Sequence, residues 1–227
     1  MTTEDISTRS DPKPHGDRGM EGSVARWYAS NTGKSIGEFA DLARRIAKEL
    51  PRGGSVLEVA PGPGYFSIEL AKLGPYSITG LDISHTFVEI ASKKAAEAGV
   101  HANFRQGNAS KMPFPNDTFD FLLCRAAFKN FGQPVRALQE MHRVLKPGGR
   151  GLIIDLRRDA APESMDRHVE TMGLSAVNKV VTKLIFRWFL LRTAYTKAQF
   201  ERMLAQTNFR SIDIHEENIG FEIRMTK

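Results

Sequence analysis

At 227 residues, with 41% apolar and 26% charged residues, the chain has the size and composition of one folded domain with a sizeable core. The single cysteine, Cys124, excludes an internal disulfide framework and fits a reducing cytoplasm; no apolar stretch follows Met1, so no signal peptide is expected. A formal net charge of +6 is mildly basic, but no long block of like charges and no aromatic-plus-basic module occurs, so no nucleic-acid partner is expected.

Residues 1–20 are polar and carry Pro12, Pro14, Gly16 and Gly19, as expected of a mobile arm ahead of a domain over 21–227. Residues 24–28 and 36–50 read as helices. In the second, Ile36, Phe39, Ala40, Ala43, Ile46, Ala47 and Leu50 recur at helical spacing on one face, and Pro51-Arg52-Gly53-Gly54 ends it. Strands and helices then alternate: strands at 55–59, 77–81, 102–106, 119–124 and 150–155, helices at 64–73, 85–98 and 134–145. This alternation predicts an α/β fold, a Rossmann-like doubly wound and mostly parallel sheet with helices on both faces. Residues 162–192 read as helical, in two pieces broken near Gly173, and form a helical lid-like insertion at about 160–195. Thr196 is an expected N-cap, followed by Phe200, Met203, Leu204 and Phe209 facing the core. Residues 211–215 and 221–225 alternate as two strands around Asn218-Ile219-Gly220, predicting an antiparallel pair at the end of the sheet.

The chemistry concentrates after the first strand. Val56-Leu57-Glu58-Val59-Ala60-Pro61-Gly62-Pro63-Gly64 joins a β-branched, apolar run to a Gly-x-Gly turn and then to a helix. Gly62 and Gly64 let backbone N–H groups approach a ligand. A dinucleotide fingerprint would place a third glycine where Ser67 stands, and a pyrophosphate would be repelled by Glu58. A carboxylate there suits a ligand whose near end is cationic. The second strand also ends in an acid, Asp82, which can accept both hydroxyls of a ribose.

The Glu-x-x-x-Gly-x-Gly pattern resembles the first motif of the class I S-adenosylmethionine-dependent methyltransferases. The segments around Asp82-Ile83, Gly107-Asn108-Ala109, Asn116-Asp117-Thr118-Phe119-Asp120 and Glu140 to Gly149 follow in the family's order, and together the resemblance covers roughly residues 55–155. It implies S-adenosyl-L-methionine as cofactor. Glu58, Gly62 and Gly64 would hold its methionine end, Asp82 the ribose, Ile83 would pack on adenine, and Asn108 and Ala109 would lie by the adenine edge. Arg125 would contact the cofactor or an anionic substrate, and Tyr28 would close over the cofactor from the N-terminal helix. The alternative readings are structural: Glu58 as a loop cap, Asp82 as a helix cap, Asn108 and Ala109 as a surface turn, Arg125 in a surface ion pair, Tyr28 with Trp27 in the core.

Methyl transfer from a sulfonium is an in-line displacement, and the protein chiefly positions two reactants. No catalytic triad and no metal site is needed, and the six histidines show no metal-ligand spacing with Cys124. Asp155, ending the fifth strand, and His85, just after Asp82, are the candidate bases. Phe128 follows the fourth strand, where open α/β sheets bind ligands, and Trp188 and Phe189 lie on the broadest part of an apolar helical face; these are the candidate acceptor-binding residues. Lys179, Lys183 and Arg187 share another face of that helix, so 177–192 is read as a lid, as a peripheral contact with anionic lipid, or as a core or dimer face.

The expected activity is methyl transfer from S-adenosylmethionine to a small apolar or aromatic acceptor, similar to that of the ubiquinone/menaquinone methyltransferase group, in the cytoplasm or peripheral to a membrane. Two other functions stay open at this level: a nicotinamide-dependent oxidoreductase, sharing Gly62, Gly64 and Asp82, and a non-catalytic cofactor-binding assembly subunit. The acceptor, the attacked atom and the oligomeric state are not legible in the sequence.

Overall fold

The computed structural model describes residues 19–33, 36–171 and 193–227. Its elements run α1 (Gly22–Thr32), α2 (Ile36–Ala47), β1 (Ser55–Val59), α3 (Tyr65–Ala71), β2 (Ser77–Asp82), α4 (His85–Glu97), β3 (Asn103–Gln106), β4 (Phe119–Arg125), a 3-10 turn (Phe128–Asn130), α5 (Pro134–Val144), β5 (Leu145–Leu156), α6 (Pro162–Thr171), α7 (Lys197–Leu204), β6 (Ser211–Glu217) and β7 (Gly220–Thr226). The sheet has seven strands in the order β3-β2-β1-β4-β5-β7-β6. The first five pair in parallel; β7 runs antiparallel to β5, and β6 antiparallel to β7. The expected doubly wound sheet with an antiparallel close is therefore present.

Alternation along the central strands divides the core between the two faces of the sheet. Leu57, Val59, Leu122 and Cys124 pack with Leu138 and Met141 of α5 and Phe200 and Met203 of α7. Val56, Phe121 and Leu123 pack the other way, with Leu42 and Ile46 of α2 and Phe66 and Leu70 of α3. Strands buried on both faces read as continuous apolar runs, as Val56-Leu57 and Phe121-Leu122-Leu123-Cys124 do. Phe200, Met203, Leu204 and Phe209 are all buried, as expected. Thr196 caps α7 with a full capping box: Gln199 N–H donates to the Thr196 hydroxyl, and Thr196 N–H donates to Gln199 Oε1 at 2.9 Å.

Two differences from the sequence reading have local causes. The fifth strand starts at Leu145 rather than 150, because the Lys146-Pro147-Gly148-Gly149 passage is accommodated as a register shift: Phe119 pairs with Leu145 and Phe121 with Arg150. Gly148 takes φ +77° there, and Lys146 Nζ reaches both oxygens of Asp120, at 2.9 and 2.8 Å. The α2 stripe is also shorter than expected, since Ile36 is exposed while Leu42, Ala43 and Ile46 carry the contact. Its first turn overhangs the end of the sheet instead, and there it walls the site.

Candidate functional site

The turn after β1 is held in shape by backbone bonds from both sides. Ala60, at φ +55°, donates its N–H to Leu81 O of β2 at 2.8 Å, and Gly64 N–H closes the turn on Pro61 O at 3.0 Å. Gly62 has φ +53° with open space where a Cβ would stand, and its N–H is taken by Asp82, so it offers a ligand room rather than the free donor expected from the sequence. Gly64 has φ +77° and a different reason: a Cβ would meet Ala91 Cβ and Phe104 Cζ at 2.9 Å. The first glycine thus keeps room for a ligand, and the second lets α3 pack against α4 and β3.

Both expected acids converge on this turn. Asp82 Oδ2 accepts the Gly62 N–H and Oδ1 the Ser84 N–H, each at 2.9 Å. Burial pushes the Asp82 carboxyl up, and the Ser84 and Gly62 N–H bonds oppose it. Glu58 is 4% exposed; its Oε2 accepts from the Ser67 hydroxyl at 2.6 Å and the Ser67 N–H at 3.2 Å. Burial raises it to about 7, against the Ser67 bonds and the Arg125 charge.

These groups open into one cavity of 690 Å³ at the carboxyl ends of β1, β2 and β4, a size typical of small-molecule sites, roughly 300–1,000 Å³. Of the expected residues, Tyr28, Glu58, Gly62, Asp82, Ile83, Asn108, Ala109 and Arg125 line it. Asn108 Oδ1 accepts the Ser110 N–H at 2.8 Å, which fixes the turn that brings Asn108 to the cavity wall.

The sequence reading missed much of the wall. Glu38 and Phe39, from the overhanging turn of α2, line the cavity, and both hold Arg125: Arg125 Nη2 donates to Glu38 Oε2 at 2.9 Å, and the guanidinium lies 4.3 Å from the centre of the Phe39 ring. Ala126, Ala127, Asn130 and Phe131 line the end beyond β4, and Gly19, Met20, Thr32 and Phe87 the N-terminal side. Glu21 straps that side down. Its carboxylate accepts the His85 and Thr86 N–H groups at the start of α4, each at 3.0 Å, and Ser84 Oγ donates to Met20 O at 2.5 Å. The Thr86 bonds hold the Glu21 carboxyl below its usual range. Tyr28 meets Phe87 edge-on at 5.8 Å, so Tyr28 faces the cavity while Trp27 beside it is 68% exposed.

Other expectations are corrected by their surroundings. Asp155 does not line the cavity: it is buried in an ion pair with Lys129 Nζ at 3.0 Å, and its other oxygen accepts the Lys129 N–H at 2.9 Å. With its lone pairs so engaged, it is not placed to take a proton from a cavity ligand. The His85 ring is 65% exposed and faces Glu89 at 3.5 Å, on the outer side of α4. Phe128 is fully buried against Phe131, Phe200 and Tyr195 and belongs to the core. Trp188, Phe189 and the 177–192 helix lie outside the described residues. Cys124 is buried, and burial, with the Asp155 charge adding, raises its thiol well above the usual range, as for a packing residue rather than a nucleophile. Among the described residues no cluster of His, Cys, Asp and Glu could hold a metal, and no helix is long and apolar enough to cross a membrane.

The chain and its fold have counterparts among known proteins. A methyltransferase-domain family model matches residues 57–153, the stretch from β1 to β5. The demethylmenaquinone methyltransferase of Deinococcus radiodurans is 34% identical over 163 residues, 68% of this chain and 67% of that protein. That of Listeria monocytogenes is 36% identical over 114 residues, and the chain spans about half its length, 48%. An S-adenosylmethionine-dependent methyltransferase from Aquifex aeolicus superposes with a TM-score of 0.62 at 19% identity, covering 84% of this chain and 97% of that one, which shows the shared fold. The chain belongs to the class I S-adenosylmethionine-dependent methyltransferases, enzymes whose cofactor is S-adenosyl-L-methionine.

Proposed function

We propose that this chain methylates a small apolar or aromatic acceptor, a ring of the quinol kind, and that the cavity holds cofactor and acceptor end to end. The observation that carries the reading is the mixed lining of this one cavity. Two carboxylates, Glu58 and Asp82, and the open space beside Gly62 share it with the apolar side chains of Phe39, Phe131, Ala126 and Ala127. The residues fit the cofactor by their chemistry. Converging acids and a glycine with nothing beside its Cβ position reject a diphosphate and suit an ammonium and neutral hydroxyls, and Ser67 bonded to Glu58 occupies the third glycine position of a dinucleotide turn.

In this reading Glu58, with Gly62, receives the methionine end, Asp82 the ribose hydroxyls, Ile83 the adenine face, and Asn108 and Ala109 its edge, while Gly64, which does not line the cavity, serves the packing of the turn. Arg125 closes the methionine end, and Tyr28 roofs the cofactor. When bound, the cofactor supplies a methyl group already activated on a sulfonium sulfur. The protein's part is then alignment and exclusion of water. The aromatic wall would hold the acceptor ring in line, and Trp188 and Phe189, in the lid-like insertion at about 160–195 within the domain at 21–227, are proposed as further acceptor-binding residues. The names of the Deinococcus and Listeria relatives support a quinol-like acceptor.

The test is transfer of labelled methyl from S-adenosylmethionine to a panel of reduced naphthoquinones and benzoquinones, beside catechols, amines and thiols. Turnover with the quinols at least about tenfold above the amines and thiols is expected, the equivalent of one extra well-made contact in the transition state. Turnover confined to amines or thiols overturns the acceptor class.

A further inference from the structure

Ser67 is buried, sits in the first turn of α3, and stands where a dinucleotide-binding turn would carry glycine. Its hydroxyl and its N–H both donate to the same oxygen of Glu58, at 2.6 and 3.2 Å, across nine residues of chain. The hydroxyl bond is the shorter, and Ser67→Ala removes it while keeping the backbone N–H donor. A hydroxyl that donates to a buried carboxylate favours the charged form over the neutral one. The other charged groups acting on Glu58 are divided: Arg125 of β4 favours its ionisation while itself paired to Glu38 of α2, Asp82 of β2 opposes it, and Cys124 stays uncharged.

We propose that Ser67 is a positioning residue for methyl-donor binding, which orients Glu58 and favours its ionised form for the ammonium end of the cofactor. The proposal rests on the reading that Glu58 receives that ammonium. It explains why this turn carries a small hydroxyl residue where glycine would suffice for close helix packing. The burial-raised value of Glu58, about 7, puts the balance between its two forms in the physiological range, where one hydrogen bond shifts it.

The experiment is calorimetric titration of the whole chain with S-adenosylhomocysteine from pH 6 to 9, for wild type, Ser67→Ala, Glu58→Gln and the double variant. The ligand's own amino titration is common to all four and cancels in the ratios. Ser67→Ala is expected to bind about tenfold more weakly at pH 6.5, as follows when loss of the hydroxyl bond makes Glu58 about a tenfold weaker acid. That deficit should shrink toward parity above pH 8.5, where Glu58 is mostly ionised in both proteins. In the Glu58→Gln background the same substitution should change affinity by less than about twofold. A deficit that is equal at every pH, or that persists in the Glu58→Gln background, shows a packing role and overturns the proposal, as does no deficit at all. Wild-type affinity in Glu58→Gln alone overturns the reading of Glu58 itself, and the proposal with it. Should Ser67→Ala melt too low to titrate, Ser67→Cys, near-isosteric with a weak S–H donor, must show a deficit of the same pH form.

Discussion

Asp82 Oδ2 accepts the Gly62 N–H at 2.9 Å, so the acid ending β2 shapes the turn that follows β1. Its other oxygen holds the Ser84 N–H at the entry to α4. One carboxylate therefore does two things: it braces the loop that opens the cavity and presents its remaining lone pairs to whatever lies there.

Asp82→Ala removes both functions. A hydrogen bond to a charged group contributes about 1.5–3 kcal/mol, so cofactor affinity measured by calorimetry is expected to fall at least about tenfold. Asp82→Asn should also fall, because its one amide oxygen accepts only one of the two backbone N–H groups and its NH₂ is set donor-to-donor against the other. Unchanged affinity in both variants would remove Asp82 from the cofactor site.

Gly62 and Gly64 separate a ligand requirement from a packing one. Gly62→Ala is strained by its φ of +53° but meets no atom, so it should lose about 1–2 kcal/mol of stability and, with a methyl group facing the cavity, more than about tenfold in cofactor affinity. Gly64→Ala adds to its φ strain contacts of 2.9 Å with Ala91 and Phe104, and overpacking costs a further 1–3 kcal/mol or so. Melting temperature should fall further for Gly64→Ala. Equal losses of stability would contradict this division.

The sheet and the acids were legible in the sequence because their signals are local. Continuous apolar runs name the central strands and alternation the last two, and Glu58, Gly62, Gly64 and Asp82 lie within two adjacent strand ends. The rest of the wall was not legible because its partners are distant in sequence. Glu38 reaches Arg125 across 87 residues, and Glu21 reaches the start of α4 across 64. Asp155 and His85 were plausible bases by residue type and position at strand ends. What decides against them is a buried lysine opposite one and the outward face of a helix under the other, neither of which has a periodic signature. The aligned apolar positions of α2 included Ile36 for the same reason: periodicity cannot show where the sheet beneath a helix ends.

Glu58 gives stability a pH dependence opposite to that of a surface carboxylate. Its folded value of about 7 lies above the ordinary 4.5, so between those pH values the folded chain binds more protons than the unfolded one. Stability then falls as pH rises through that window and levels off above it. The full effect is on the order of 2–4 kcal/mol. Glu58→Gln, which still accepts from Ser67, should match wild type in melting temperature near pH 4 and exceed it at pH 8. A lower melting temperature at both values would contradict the burial argument.

Lys129 and Asp155 form the most deeply buried charge pair among the described ion pairs, with side chains 5% and 1% exposed. Lys129 Nζ also donates to Ala126 O at 2.7 Å, and Asp155 accepts the Lys129 and Leu156 N–H groups. The pair thereby fixes the 3-10 turn whose Asn130 and whose neighbours Ala127 and Phe131 line the cavity. Lys129→Met strands a buried carboxylate and should cost about 3–5 kcal/mol in chemical denaturation. Asp155→Asn keeps an acceptor for the backbone and removes that stranded charge, so Lys129→Met should cost markedly less in the Asp155→Asn background. If the turn sets the acceptor wall, folded Asp155→Asn should raise the acceptor KM several-fold while cofactor affinity stays within about twofold, since Asp82 and Glu58 lie on other strands. A loss of kcat with a pH profile displaced by a missing base, at unchanged KM, would instead restore Asp155 to a role in proton removal.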